Sequence, residues 1–247
     1  MKRSLNELIG YEIQGKDYTK GNVKDFLFDE DEWVIKYLDA DLVLLSGRKI
    51  LIPKIFLKEP DWSNHQFPIE LSKTDVEKCP ELAENLPVSK KYEHELNKHY
   101  KTNDYWPYSH VSPVGAPGVT YPPRPVKIPS KMIDEKELDT SLRSFSEIKG
   151  YYIKTLDGKI GHIDDIIIDD TDWQIVYAVV DTSNWLPWSK KVLISPHSMD
   201  EISYLDQEIE INLTTETIES APAFDSSKPM NEEYEKELHD HFGRFTK

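Results

Sequence analysis

The side chains able to do chemistry are scattered along this sequence. Its histidines are His65, His94, His99, His110, His162, His197, His239 and His241. Only His239 and His241 are close neighbours, and on a helix residues two apart point to different sides, so a shared metal ion is not expected of them. His99 and His241 recur at matching places and are read as packing or capping residues. Two acidic runs, Asp29 to Glu32 and Asp164 to Asp172, offer oxygens that calcium would take. They lack the Asp-x-Asp-x-Asp-Gly spacing that wraps oxygens around one ion, so solvated turns are expected instead. The sequence has no Gly-x-Ser-x-Gly elbow, phosphate-binding glycine loop or dinucleotide fingerprint. No nucleophile, base and orienting group stand out as a set, so the expectation is a protein that is not an enzyme, with no catalytic residue, metal or cofactor.

The aromatic residues say more. Trp185, Leu186, Pro187 and Trp188 form one short run beside Asn184. Tryptophans exposed on a loop anchor partners, so these four are the candidate partner-binding residues. The competing reading is that they cover the open end of the barrel or pack on the first unit. Trp33 and Trp173, each read as just inside a strand, are expected in the core.

These residues are carried on a sequence written twice. Ser4, Glu7, Gly10, Tyr11, Ile13, Asp17, Gly21, Asp25, Asp29, Trp33, Ile35 and Tyr37 each recur 140 positions later. The offset then becomes 142: Lys49 to Ile52 meets Lys191 to Ile194, and Tyr92, Leu96 and Tyr100 meet Tyr234, Leu238 and Phe242. A period this long indicates tandem domains, since solenoid repeats run about 20 to 50 residues. The division expected is a first unit at 1–105, a proline-rich linker at 106–143 and a second unit at 144–247.

Each unit opens on Ser-x-x-Glu, which caps a short helix, and Gly10 or Gly150 ends it. Alternating or β-branched runs follow, including Ile160 to Ile168, Gln174 to Val180, Val192 to Ile194 and Glu208 to Leu213, which read as strands. Asp157-Gly158 predicts a hairpin whose glycine takes a positive φ. About six short strands with hairpin connections predict a small antiparallel barrel that closes its own edges. A short helix ending by Pro80 or Pro222 comes next, then an amphipathic tail helix whose stripe of Tyr92, Leu96 and Tyr100, or its counterpart, is expected to dock on its own barrel. The fold class expected is therefore mainly β, two tandem small antiparallel barrels, each followed by a short helix and a C-terminal amphipathic helix. Prolines and glycines concentrated in Pro107 to Pro129 suit an extended spacer.

With 30 basic and 45 acidic residues the formal net charge is -15, which disfavours nonspecific binding to nucleic acid or anionic lipid. Cys79 is the only cysteine, so no internal disulfide is possible, and no stretch approaches the ~18 apolar residues of a membrane span. A cytoplasmic protein is expected.

The residues from Gly150 onward resemble a PRC-barrel domain, the family named for the cytoplasmic domain of the photosynthetic reaction-centre H subunit. The resemblance rests on Asp157-Gly158, Gly161, Ile166 to Asp169, and above all Asp181-Thr182-Ser183-Asn184-Trp185-Leu186-Pro187 followed by Lys191 to Pro196. The first unit matches more loosely: Leu38 to Gly47 has no Trp-Leu-Pro element, and Ile52-Pro53 replaces Ile-Ser-Pro. The resemblance implies a small barrel used for docking or assembly. The expectation is a non-catalytic protein-binding or assembly module whose two units pack as an intramolecular pseudo-dimer. The alternative is a small-ligand or metal-binding regulator with its site between the barrels, and an enzyme of unknown class ranks third.

Overall fold

The computed structural model describes residues 1–17, 19–42, 49–80, 90–102, 141–182, 190–228 and 230–243. In the first half, β1 (Lys2–Ser4) and α1 (Leu5–Leu8) lead to β2 (Glu12–Gln14), β3 (Thr19–Asp29), β4 (Val34–Asp41), β5 (Lys49–Pro53) and β6 (Gln66–Pro68). Two helices follow, α2 (Lys73–Glu77) and α3 (Lys90–Tyr100). The second half runs through β7 (Leu142–Ser144), α4 (Phe145–Ile148), β8 (Tyr152–Lys154), β9 (Lys159–Asp169), β10 (Gln174–Asp181) and β11 (Lys191–Ile194). It ends with β12 (Met199–Ser203), β13 (Glu208–Ile211), α5 (Thr215–Glu219) and α6 (Glu232–Phe242).

The local signals act as their chemistry requires. Ser4 and Ser144 cap α1 and α4 by accepting from the Glu7 and Glu147 amides. Gly10 and Gly150 follow at φ 86° and 93°, a region closed to most side chains. Gly161 takes φ 64°, and a Cβ there would lie 2.4 Å from the Asp181 carbonyl oxygen, so β9 and β10 pass too closely for any other residue. Gly158 is not among the positive-φ glycines. The turn before β9 is held instead by the Thr155 amide donating to the Gly158 carbonyl and by Asp157, which accepts from Thr155 Oγ1 and the Thr215 amide.

The fold is mainly β, but the strands do not form two separately closed antiparallel barrels. They join in one thirteen-stranded sheet that does not close on itself, ordered β12-β13-β8-β9-β10-β4-β3-β2-β6, with β1 on β9, β11 on β10, β5 on β4 and β7 on β3. Two pairings, β2 with β6 and β8 with β13, are parallel. The physical reason is exchange. β1 leaves its own half to pair with β9 through Lys2↔Asp169 to Ser4↔Ile167, and β7 pairs with β3 through Leu27↔Ser144 to Asp29↔Leu142. Each half covers an edge that the other would have had to close alone.

One main apolar cluster runs through both halves, from Leu5, Phe26 and Phe67 to Trp173, Ile209 and Ile218. The tail helices dock on their own halves. Leu238 of α6 packs with Ile167, Val179 and Leu193, and Tyr100 of α3 lies against Phe56 with ring centroids 5.3 Å apart. His99 donates from Nε2 to the Asp75 carbonyl of α2, and His241 to the Thr217 carbonyl of α5, each at 2.8 Å. A carbonyl only accepts, which fixes the proton on Nε2 in both.

Candidate functional site

Three sets of contacts join the halves, and the candidate site lies beside the third. The first two sets are matching latches. β3 and β9 each carry a β-bulge that turns an aspartate towards the incoming strand of the other half. Asp165 accepts from Ser4 Oγ and, at 3.1 Å, from the Asn6 amide. Asp25 accepts from Ser144 Oγ, Ser146 Oγ and the Ser146 amide. Burial pushes the Asp165 carboxyl above the usual carboxylate range, against the pull of its donors. Flanking cations complete the latches: Arg3 faces Asp170 of the other half at 3.5 Å, and Arg143 binds Glu30 of the other half at 2.6 and 2.7 Å, while each stacks 4.4 Å from an aromatic ring of its own half, Trp62 and Tyr204.

The third set is the crossing of β4 and β10. Val34 pairs with Gln174, the Ile35 amide donates to the Trp173 carbonyl at 2.9 Å, and the Ile175 amide donates to the Trp33 carbonyl at 2.8 Å. Trp33 and Trp173 hold left-handed backbone, φ 53° and 65°, as the last residues of their turns rather than the first of their strands. Trp173 is buried in the core as its aromatic character suggests, stacked on Phe26 of the other half at 6.0 Å and against Phe67 at 5.7 Å. Trp33 is only partly buried, over Phe28 at 5.4 Å. Gln174 adds a bond with no mirror image, donating from Nε2 to the Glu32 and Trp33 carbonyls at 2.9 and 2.8 Å.

A pocket of about 740 Å³ opens at this crossing, between β4, the turn after β5 and the C-terminal end of α3. Gln174 is its one wall residue from the second half. Val34, Pro53 and Ile55 give it an apolar side, and Ile55 is 62 % exposed. Three lysines line it. Lys36 is held by Glu32 at 2.6 Å. Lys54 reaches only the Asp172 carbonyl, at 3.5 Å, and has no carboxylate within ion-pair distance among the described residues. Burial, with Lys36 beside it, lowers the Lys54 ammonium below the ordinary lysine range. Lys101 stands on the rim at φ 56°. The remaining acid, Glu93, is buried and accepts from Tyr37 Oη at 2.9 Å.

The matching place in the second half is built differently. Val176, Pro196 and Gly243 stand where the offsets of 140 and 142 would put Lys36, Lys54 and Lys101. A cation arrives there from the other half instead: Lys2 lies 5.5 Å from the Tyr177 ring centroid and pairs with Glu235. A second cavity, about 620 Å³, lies beside the Asp165 latch, where Lys191 binds Asp164 at 2.7 Å. Its central polar groups already hold the strands together.

The residues singled out by sequence take structural places or fall outside the description. Trp185, Leu186, Pro187 and Trp188 lie outside the described residues. The acidic runs are turns only in part: Glu30 to Glu32 and Asp170 to Asp172 turn, whereas Asp164 to Asp169 belong to β9 and Asp29 ends β3, buried rather than solvated. Asp29 accepts from the Asp31 and Glu32 amides and from Ser141 Oγ, each at 3.0 Å, and Asp169 from the Thr171 amide at 2.9 Å. Among the described residues no three His, Cys, Asp or Glu side chains come together as metal ligands would. Sequence reasoning missed Lys36 and Lys54. The signal was present as the loss of charge at the matching positions, which an inspection of identities alone passes over.

The sequence profile that describes the PRC-barrel domain matches residues 142–218. The second half therefore contains a PRC-barrel domain. No curated protein matches the chain. The PRC-barrel match begins at Leu142, so it includes β7, the strand given to β3 of the other half, and it ends within α5. Among the described residues no helix is long and apolar enough to cross a membrane.

Proposed function

We propose that this chain is a non-catalytic binding protein in which two PRC-barrel-like units, the product of an internal duplication, form an intramolecular pseudo-dimer that serves as a docking or assembly module for another protein. The units correspond to residues 1–105 and 144–247, with β7 attached to the second and a proline-rich spacer between them. The observation that carries this reading is the reciprocal exchange of β1 and β7, which fastens two similar halves into one body. The strongest polar clusters support it too, since the Asp25, Asp165, Asp29 and Glu30 carboxylates are all engaged in joining strands or turns. The partner surface in this reading includes Trp185, Leu186, Pro187 and Trp188. Affinity purification with mass spectrometry tests it: a specific retained protein is expected, and its loss on Trp185→Ala/Trp188→Ala. The same retained proteins with both chains, or none with either, would sink the proposal.

The pocket at the β4–β10 crossing favours a second reading, a small-ligand regulator whose site lies between the halves. Native mass spectrometry of freshly purified protein separates the two, because a retained small mass supports the second reading and a bare chain mass supports the first.

A further inference from the structure

We infer that the pocket at the β4–β10 crossing binds a small organic carboxylate with an apolar body. The inference rests on the second reading above and names the ligand class. It starts from charge. In a chain whose net charge is -15, three lysines converge on one pocket. Lys36 is neutralised by Glu32, and Glu93 is engaged by Tyr37. That leaves Lys54 and Lys101 facing the space without a carboxylate partner among the described residues.

Lys54 is the telling group. A half-buried ammonium costs desolvation energy and gains from its neighbours only when they carry opposite charge. Its nearest acceptor among the described residues is a backbone carbonyl at 3.5 Å, too long for a strong hydrogen bond; Lys36 opposes its charge, and Asp172 and Glu32 favour it only from beyond ion-pair distance. An anion in the pocket would supply the missing partner. The second half shows that the fold does not need all three lysines, because Val176, Pro196 and Gly243 fill the corresponding positions and the one cation brought there, Lys2, is paired with Glu235.

The lining also limits the ligand. Among the lining residues Lys36, Lys54 and Lys101 against Glu32 and Glu93 leave one net positive charge, and Asp172 acts on Lys54 from outside the lining, so the pocket suits a single carboxylate and not a phosphate dianion. Gln174, Asn97 and Thr102 make the wall polar, with Gln174 Nε2 donating to backbone carbonyls and Thr102 Oγ1 donating to Asn97 Oδ1. Val34, Pro53 and Ile55 form an apolar side suited to an alkyl or aryl group.

The test is calorimetric titration and ligand-observed NMR on the full chain. The probes are octanoate and 3-phenylpropionate, with 3-phenylpropanamide as the uncharged control and inorganic phosphate as the dianion control. The carboxylates are expected to bind about tenfold or more tightly than the amide and than phosphate, as a charged hydrogen-bond partner would give. Lys54→Met should abolish that preference at an unchanged melting temperature, and Lys54→Arg should retain most of it. Equal binding of amide and carboxylate would overturn the anion assignment while keeping a ligand pocket. Binding of neither would overturn both the assignment and the ligand-regulator reading. Undiminished carboxylate binding by Lys54→Met would overturn the site.

Discussion

The two halves agree where they hold each other and differ where they face solvent beside the crossing. Asp25 and Asp165 receive the incoming serine in the same way, and Arg143 and Arg3 beside them face acids of the other half, Glu30 and Asp170. Beside those matching joints, one half has a lysine-lined pocket and the other has Val176, Pro196 and Gly243, with Lys2 brought over Tyr177 from across the seam. The matching parts are explained by stability alone. The unmatched part needs another reason, and that is why the pocket rather than the latches is the candidate site.

The comparison breaks most completely if the halves are separated. Expressed as 1–105 and 106–247, each piece should be unfolded or aggregated, because β3 and β9 lose the strands that cover them. Mixing should restore the native circular dichroism spectrum, and two independently folded, unmixing pieces would contradict the exchange. Trp173→Ala should come next, at about 3–5 kcal/mol in denaturant unfolding, since it removes the ring on which Phe26 and Phe67 pack. Trp33→Ala should cost clearly less because Trp33 is only partly buried. Gly161→Ala combines a left-handed φ with a collision against the Asp181 carbonyl and should cost about 2–4 kcal/mol.

Asp165→Asn sharpens the comparison through pH. Burial raises the folded-state pKa of Asp165 above its unfolded value, so its contribution is fully present below the unfolded pKa and is lost as pH rises through the folded pKa. The substitution should remove that loss: the variant should gain on wild type as pH rises above the ordinary carboxylate range, read from denaturant unfolding at a series of pH values. A pH dependence unchanged by the substitution would show that the buried carboxyl is not its source. The smallest effect expected is for His99→Ala and His241→Ala, about 1 kcal/mol each, from losing one bond to the last carbonyls of a short helix.

Much of the architecture was readable from residue types. Serine caps, the glycines after them, the long strands β3 and β9 before the turns that end at Trp33 and Trp173, and the tail helices follow from local chemistry, which a sequence states directly. Strand exchange did not follow, because β1 and β7 are only three residues long and nothing local distinguishes pairing with one long strand from pairing with its counterpart. The lysine pocket was hidden for a related reason. Lys36, Lys54 and Lys101 are unremarkable surface residues in sequence and converge only when β4, the turn after β5 and the end of α3 are brought together.

The exchange also sets a timetable for the nascent chain. β1 is made well before its partner β9, which ends at Asp169, so that strand waits for about 165 further residues. At ~5–20 residues per second that delay is on the order of ten seconds or more. β3 waits in turn for β7, made after the spacer. The first half therefore leaves the ribosome with an uncovered strand edge, which makes this interval, rather than the finished protein, the stage most exposed to mispairing between neighbouring chains.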